Sequence, residues 1–224
     1  VPEEGERVVE ALVVGKTWQQ AVKFYARICG ICPVSHVFAA TFALENALAV
    51  RPSTVTHLLR RLYASGQVLQ SHLLHLYFMV LPSLVGRSSA IRMSIDYPAE
   101  FHTYLNIKRI CERISKLIGG SSLHPATVTI GGFSRIPLTG DLFALRDEIY
   151  KTLDEGIDLV RLFASFSWPA ARSASVRIAV RPRVKDEYPL TGRQIVGDTV
   201  APFAVEKYRE FFLCPPRSGI LSGS

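Results

Sequence analysis

The chain has 224 residues, 48% of them apolar and 20% charged, enough to bury a sizeable core and too apolar for a disordered chain. Its 26 Lys and Arg against 19 Asp and Glu leave a formal net charge of +7. The basic residues are spread along helix faces with no stacking aromatics beside them, so no nucleic acid partner is expected.

The opening Val1-Pro2-Glu3-Glu4-Gly5-Glu6 is acidic and lacks an initiator Met. It does not read as a signal peptide, and the chain is expected to begin after the start of its gene. Arg7 to Val14 is apolar-rich and reads as a strand or as the start of a helix, closed by Gly15. Val34, Val37, Phe38, Phe42, Leu44 and Leu48 recur at helical spacing and predict a helix from Cys32 to about Val50. Pro33 suits its first turn, and Pro52 lies beyond its end. A second helix is predicted from Ser53, its N-cap, to about Leu81, with Gly66 as a weak point. A third covers Ala99 to Ile118 and stops at Gly119-Gly120; a fourth spans Asp141 to Phe166.

Then the texture changes. Val176, Ile178 and Val180 alternate with Arg177, Ala179 and Arg181, the pattern of a half-buried strand. Further β segments are expected around Tyr188 to Val196, before a last helix near Phe203 to Phe212. The predicted fold is mainly α, a long-helix bundle core with a small β appendage (α+β). Residues 1–170 form the helical portion, 171–212 the β-containing segment with its short helix, and 213–224 an atypical tail. The most apolar stretch, Leu73 to Val85, contains His75 and Pro82 and is too short to cross a bilayer, so no transmembrane segment is expected.

The most informative line is Arg27-Ile28-Cys29-Gly30-Ile31-Cys32-Pro33-Val34-Ser35-His36. Two thiols three residues apart can be aimed at one soft metal by the turn between them. Cys32 lies at a helix N-terminus, where the dipole favours thiolate, and His36 follows one turn later as a ligand or as a donor to a sulfur. A structural zinc site, a thiol-disulfide oxidoreductase and incidental buried thiols compete with this reading. The first lacks a second thiol pair, since Cys111 and Cys214 are solitary. The second expects a βαβ surround where long helices follow instead. Ser71, His72 and His75 sit on one helix region and read as hydrogen-bonded core residues; no Glu between the histidines makes a metalloprotease pattern. No Gly-x-Gly-x-x-Gly or Walker pattern occurs, and Gly131-Gly132 signals a tight turn.

The Arg27 to His36 line resembles the N-terminal nickel-binding motif of NiFe hydrogenase large subunits. Ser71-His-Leu-Leu-His-Leu-Tyr77 with Leu81-Pro82, then His124-Pro125 and Gly131-Gly132-Phe133, follow in the order of that family. Ile178-Ala-Val-Arg-Pro-Arg183 and the Tyr208 helix resemble its cytoplasmic branch, which couples dihydrogen to nicotinamide, deazaflavin or sulfur reduction. The resemblance implies a nickel-iron centre held by four thiolates from two separated motifs, with carbon monoxide and cyanide on iron. Cys29 would be a terminal nickel ligand, Cys32 a bridge between nickel and iron, and His36 a neighbour of the bridging sulfur. Glu10 falls where the family places a carboxylate for magnesium. The implied activity is reversible heterolytic cleavage of dihydrogen, with the proton taken by a thiolate or carboxylate. The implied partners are an iron-sulfur small subunit and further electron-transfer subunits, in the cytoplasm.

The sequence also departs from the family. An Arg-Ile-Glu-Gly-His-like segment and the C-terminal Asp-Pro-Cys-x-x-Cys-x-x-His are absent, and Cys214 does not replace the latter. The chain therefore reads as an internal piece of a large subunit, inactive alone and unable to hold the bimetallic centre, with sticky apolar faces. Two other classes are a hydrogenase-like scaffold without metal and a Cys-x-x-Cys oxidoreductase.

Overall fold

A computed structural model describes residues 4–87, 89–168, 176–182 and 192–211. The chain divides into two compact units, 1–167 and 168–224. The predicted tail, 213–224, and residues 188–191 of the segment around Tyr188 to Val196 lie outside the described residues.

The first unit is helical. It begins with α1 (Glu4–Val13), which resolves the strand-or-helix choice, and α2 (Trp18–Tyr25). The sequence reading passed over α2, although Thr17 and Gln20 form a reciprocal capping box at its start. Next comes α3 (Pro33–Ala47), shorter than expected because Ala49 turns into the left-handed region (φ 53°) well before Pro52. Helix α4 (Thr54–Leu74) starts as predicted, with Ser53 Oγ accepting the Thr56 N–H at 3.2 Å.

Beyond α4 the helix widens into a π-turn, His75–Val80, and resumes as α5 (Leu81–Leu84). Pro82, which has no N–H to offer an α-helical ladder, follows the widened turn. A short α6 (Ala90–Asp96) leads through Tyr97 to α7 (Pro98–Gly119), which ends on left-handed Gly120 (φ 75°). A two-residue hairpin, β1 (Val128–Thr129) and β2 (Gly132–Phe133), turns on Gly131. The predicted fourth helix is two, α8 (Thr139–Lys151) and α9 (Leu153–Ser165). They part at Thr152, whose hydroxyl bonds back to the carbonyls of Ile149 (3.0 Å) and Glu148 (3.3 Å).

Helices α4 and α7 make the most extensive pairing in the unit. Gly66 makes it possible: a Cβ there would stand 2.9 Å from Ile114 Cγ2, so the expected weak point is a place of close approach. One apolar cluster joins Val22, Val37, Phe38, Tyr63, Ile114 and Leu145 beneath α3; a second joins Leu73, Tyr77, Leu81, Tyr104, Cys111 and Phe163. Other apolar side chains face outward, including Val8 and Leu12 on α1, Phe143 on α8, and Val160 on α9.

The second unit holds a three-stranded antiparallel sheet of β3 (Ile178–Val180), β4 (Gln194–Gly197) and β5 (Phe203–Ala204), in that order. The helix expected from Phe203 begins later. Phe203 pairs with Ile195 as strand, and only a 3-10 turn (Val205–Lys207) and α10 (Tyr208–Phe211) are helical. No helix of the described residues is long and apolar enough to cross a membrane.

Candidate metal centre

The thiol line is the connection between α2 and α3. Ala26 ends α2, and Cys32 is the N-cap of α3, with Pro33 in the first turn. Cys32 gives its helix no side-chain cap. Gln67, reaching across from α4, supplies one: its Oε1 accepts the N–H of Val34 at 2.6 Å and of Ser35 at 3.4 Å, and its Nε2 donates to Ser35 Oγ at 2.7 Å. At the other end of the loop, His124 Nδ1 donates to the Ala26 carbonyl at 3.0 Å, which fixes the ring tautomer. Both ends of the thiol loop are therefore pinned to distant segments.

Between those pins, the sulfurs of Cys29 and Cys32 and a ring nitrogen of His36 lie within 4.8 Å of one another. No other group of three His, Cys, Asp or Glu side chains comes so close among the described residues. Cys29 Sγ accepts the N–H of Cys32 at 3.1 Å and of Ile31 at 3.4 Å. A bond from the Cys32 thiol, then these two N–H groups, holds the Cys29 thiol below its usual range. Burial, donation to Cys29 and the charge on Cys29 push Cys32 up to about 11. The helix-terminus argument had assigned the thiolate to Cys32; the geometry moves it to Cys29, which collects the donors.

This order has a chemical readout. Near pH 8, iodoacetamide should modify Cys29 before Cys32 and leave Cys111 untouched in the folded chain, because burial pushes the Cys111 thiol to about 12. Timed alkylation with peptide mass spectrometry checks it. Equal labelling of Cys29 and Cys32 would show that the bond between them is not kept in solution.

The other predicted residues separate from this cluster. Glu10 is exposed on α1 and belongs to no such group among the described residues. His72 and His75 are exposed, so the buried, hydrogen-bonded core role expected for them does not hold. Arg27 turns back along α2, its Nη1 donating to the Lys23 carbonyl at 3.0 Å. Sequence reasoning missed Gln67, and gave His124 no more than a place in a motif. Beside the loop, Gly30, Ile31, Ser71, Leu73, Leu74 and Tyr104 line part of a cavity of about 70 Å³.

Removing the cap should loosen this arrangement. Gln67→Ala is expected to lower stability by about 1–2 kcal/mol, through the lost cap and the buried N–H of Val34 left without a partner. It should also weaken metal binding at the loop by roughly 10- to 100-fold, the usual effect of losing a residue that orients a ligand. Denaturant titration and metal competition read the two effects separately. An unchanged affinity would free the loop from Gln67.

Two paired sulfurs with an adjacent imidazole, half-buried and pinned from both sides, form a soft donor set suited to nickel. The family model for nickel-dependent hydrogenases matches residues 7–94. Sulfhydrogenase 1 subunit alpha of Pyrococcus furiosus is 31% identical over 209 residues, 93% of this chain and 49% of that protein. Sulfhydrogenase 2 subunit alpha of the same organism is 33% identical over 162 residues, 72% of this chain and 39% of that protein. Among solved structures, an NAD+-reducing [NiFe]-hydrogenase in the H2-reduced state superposes with a TM-score of 0.62 at 27% identity, over 70% of this chain and 37% of that one. The chain spans about half the length, or less, of the curated relatives it matches.

Proposed function

The chain belongs to the nickel-dependent hydrogenase large-subunit family, and on that premise we propose that it supplies one half of the ligands of a nickel-iron centre that cleaves dihydrogen. The observation that carries this is the convergence of Cys29, Cys32 and His36 on one point.

Cys29 would serve as a nickel ligand and Cys32 as a ligand to both nickel and iron, in a centre whose iron would carry carbon monoxide and cyanide. When bound, the metal pair supplies the heterolytic splitting of dihydrogen. The chain's own residues do the rest. Gln67 keeps the first turn of α3 in place, so the direction of the Cys32 side chain is set by helix packing. His124 fixes where the loop leaves α2. Leu73, itself buried, lines the small cavity beside the loop together with Gly30 and Ile31. Cys29 Sγ accepts the N–H groups of Cys32 and Ile31, which hold its sulfur in place within the loop.

Two sulfurs are half of the four thiolates such a centre needs, so activity belongs to the assembled enzyme. An iron-sulfur small subunit and further electron-transfer subunits are the partners of this reading, with the cytoplasm as its compartment. Exposed apolar side chains such as Val8, Phe143 and Val160 fit a chain that buries more surface on assembly. Glu10 is the magnesium candidate, and nothing in its surroundings adds to that assignment.

The test is to isolate the native complex from its source cells through this chain and analyse it. Nickel, iron, infrared bands of bound carbon monoxide and cyanide, and exchange between deuterium gas and water are expected together. A complex with none of these, or with nickel and no infrared bands, overturns the reading.

A further inference from the structure

Cys29, Cys32 and His36 offer one donor more than a pair of sulfurs, and the third has its own consequence. Tetrahedral bonds of about 2.3 Å from sulfur and 2.0–2.1 Å from imidazole nitrogen place such donors roughly 3.6–3.8 Å apart. The three atoms already lie within 4.8 Å of one another, so side-chain rotations of modest size bring them onto one ion. The backbone beneath them need not move. His36 rides on α3, whose first turn Gln67 holds, and Cys29 lies in the loop that His124 anchors at Ala26. All three side chains are half-buried, so one side of the cluster remains open to solvent.

We propose that this chain by itself holds one divalent cation of borderline softness, such as zinc or nickel, on the sulfurs of Cys29 and Cys32 and a ring nitrogen of His36, with a fourth position open to water. The proposal rests on the reading above, in which these sulfurs are metal ligands, and adds the imidazole as a ligand in its own right. The donor set of two thiolates, one imidazole and one water is a common one for zinc and acceptable to nickel, while hard cations such as magnesium would pass it by.

The experiment uses the full 224-residue chain, untagged and expressed without other hydrogenase subunits, loaded with one equivalent of zinc and measured by X-ray absorption at the zinc edge. Two sulfurs at about 2.3 Å, nitrogen or oxygen near 2.0–2.1 Å, and the outer-shell scattering of one imidazole are expected. In His36→Gln the imidazole scattering should vanish while both sulfurs stay, and affinity measured against a chromophoric chelator should fall ten-fold or more. Wild-type spectra with two sulfurs and no imidazole overturn the proposal and leave the nickel-ligand reading standing. Imidazole scattering that persists in folded His36→Gln also overturns it, because another histidine is then the ligand. Zinc bound without sulfur, and unaffected by Cys29→Ser with Cys32→Ser, overturns both. The wild-type spectrum alone can refute the proposal, so a variant that misfolds does not shield it.

Discussion

Glu45→Gln and Arg60→Met, made singly, should each lower the free energy of unfolding by about 3–5 kcal/mol, among the largest losses expected from any single substitution here. Glu45 on α3 and Arg60 on α4 are 4% and 3% exposed, and they meet in a two-pronged ion pair at 2.6 and 2.9 Å. Glu45 Oε1 also accepts the Gly131 N–H at 2.7 Å, and the Arg60 guanidinium lies over the rings of Phe38 and Phe42. Three segments are thus tied by one pair: the helix that carries Cys32 and His36, the helix that carries Gln67, and the β1–β2 turn. Removing either partner strands a charge, or a set of donors, where water cannot reach it.

Replacing both partners is a different matter. Glu45→Met with Arg60→Met removes both charges together, and apolar groups of similar volume often substitute for a buried pair with little loss. The Gly131 N–H is left without its acceptor, which keeps a cost of about 1–3 kcal/mol. The double variant should therefore be less destabilised than the sum of the single ones, by well over 1 kcal/mol. Urea titrations with unchanged slope would measure this. Simple additivity, or single losses below about 1 kcal/mol, would mean that the pair does not hold α3 against α4.

How far the sequence speaks depends on how local the physics is. The starts of α3 and α4 and the end of α7 were legible, because Pro33, Ser53 and Gly119-Gly120 act on their own turns of backbone. The capping box of α2 was equally local, and Thr17-x-x-Gln20 could have announced it. The break at Thr152 was not, since Thr tolerates helices and strands alike and its back-bonding hydroxyl leaves no spacing signal. The Cys29-x-x-Cys32 loop and His36 could be read as a cluster because they share a single turn and its helix. Gln67 lies 32 residues beyond Ser35, and nothing in the chain announces that its amide meets α3 until α3 and α4 are packed. The same holds for the choice between Cys29 and Cys32 as thiolate. Helix position favoured Cys32, but the turn aims two N–H groups at Cys29, and only coordinates show that.

Tight packing at the end of α7 leads to the second large effect. Gly119→Ala should destabilise the chain by about 2–3 kcal/mol, although alanine is the better helix former by about 1 kcal/mol. A Cβ at Gly119 would land inside the hydroxyl end of Tyr63, a rigid and fully buried ring that stands edge-on to Phe38. The Tyr63 hydroxyl is itself buried with no hydrogen-bond partner among the described residues, so Tyr63→Phe should cost nothing, or stabilise slightly, by removing an unpaired polar group. Burial pushes the Tyr63 phenol upward from its usual range. Its contribution to stability is therefore whole below pH about 10, the unfolded value, and is lost as pH climbs toward the folded one. Tyr63→Phe should blunt that alkaline loss. In the Tyr63→Phe background Gly119→Ala should also cost about 1 kcal/mol less, because the atom nearest the new methyl is gone while the ring carbons still crowd it. Thermal and urea unfolding of the four proteins, at neutral pH and above pH 10, would measure both effects. An unaltered cost of Gly119→Ala when the hydroxyl is absent would place the clash elsewhere than against Tyr63.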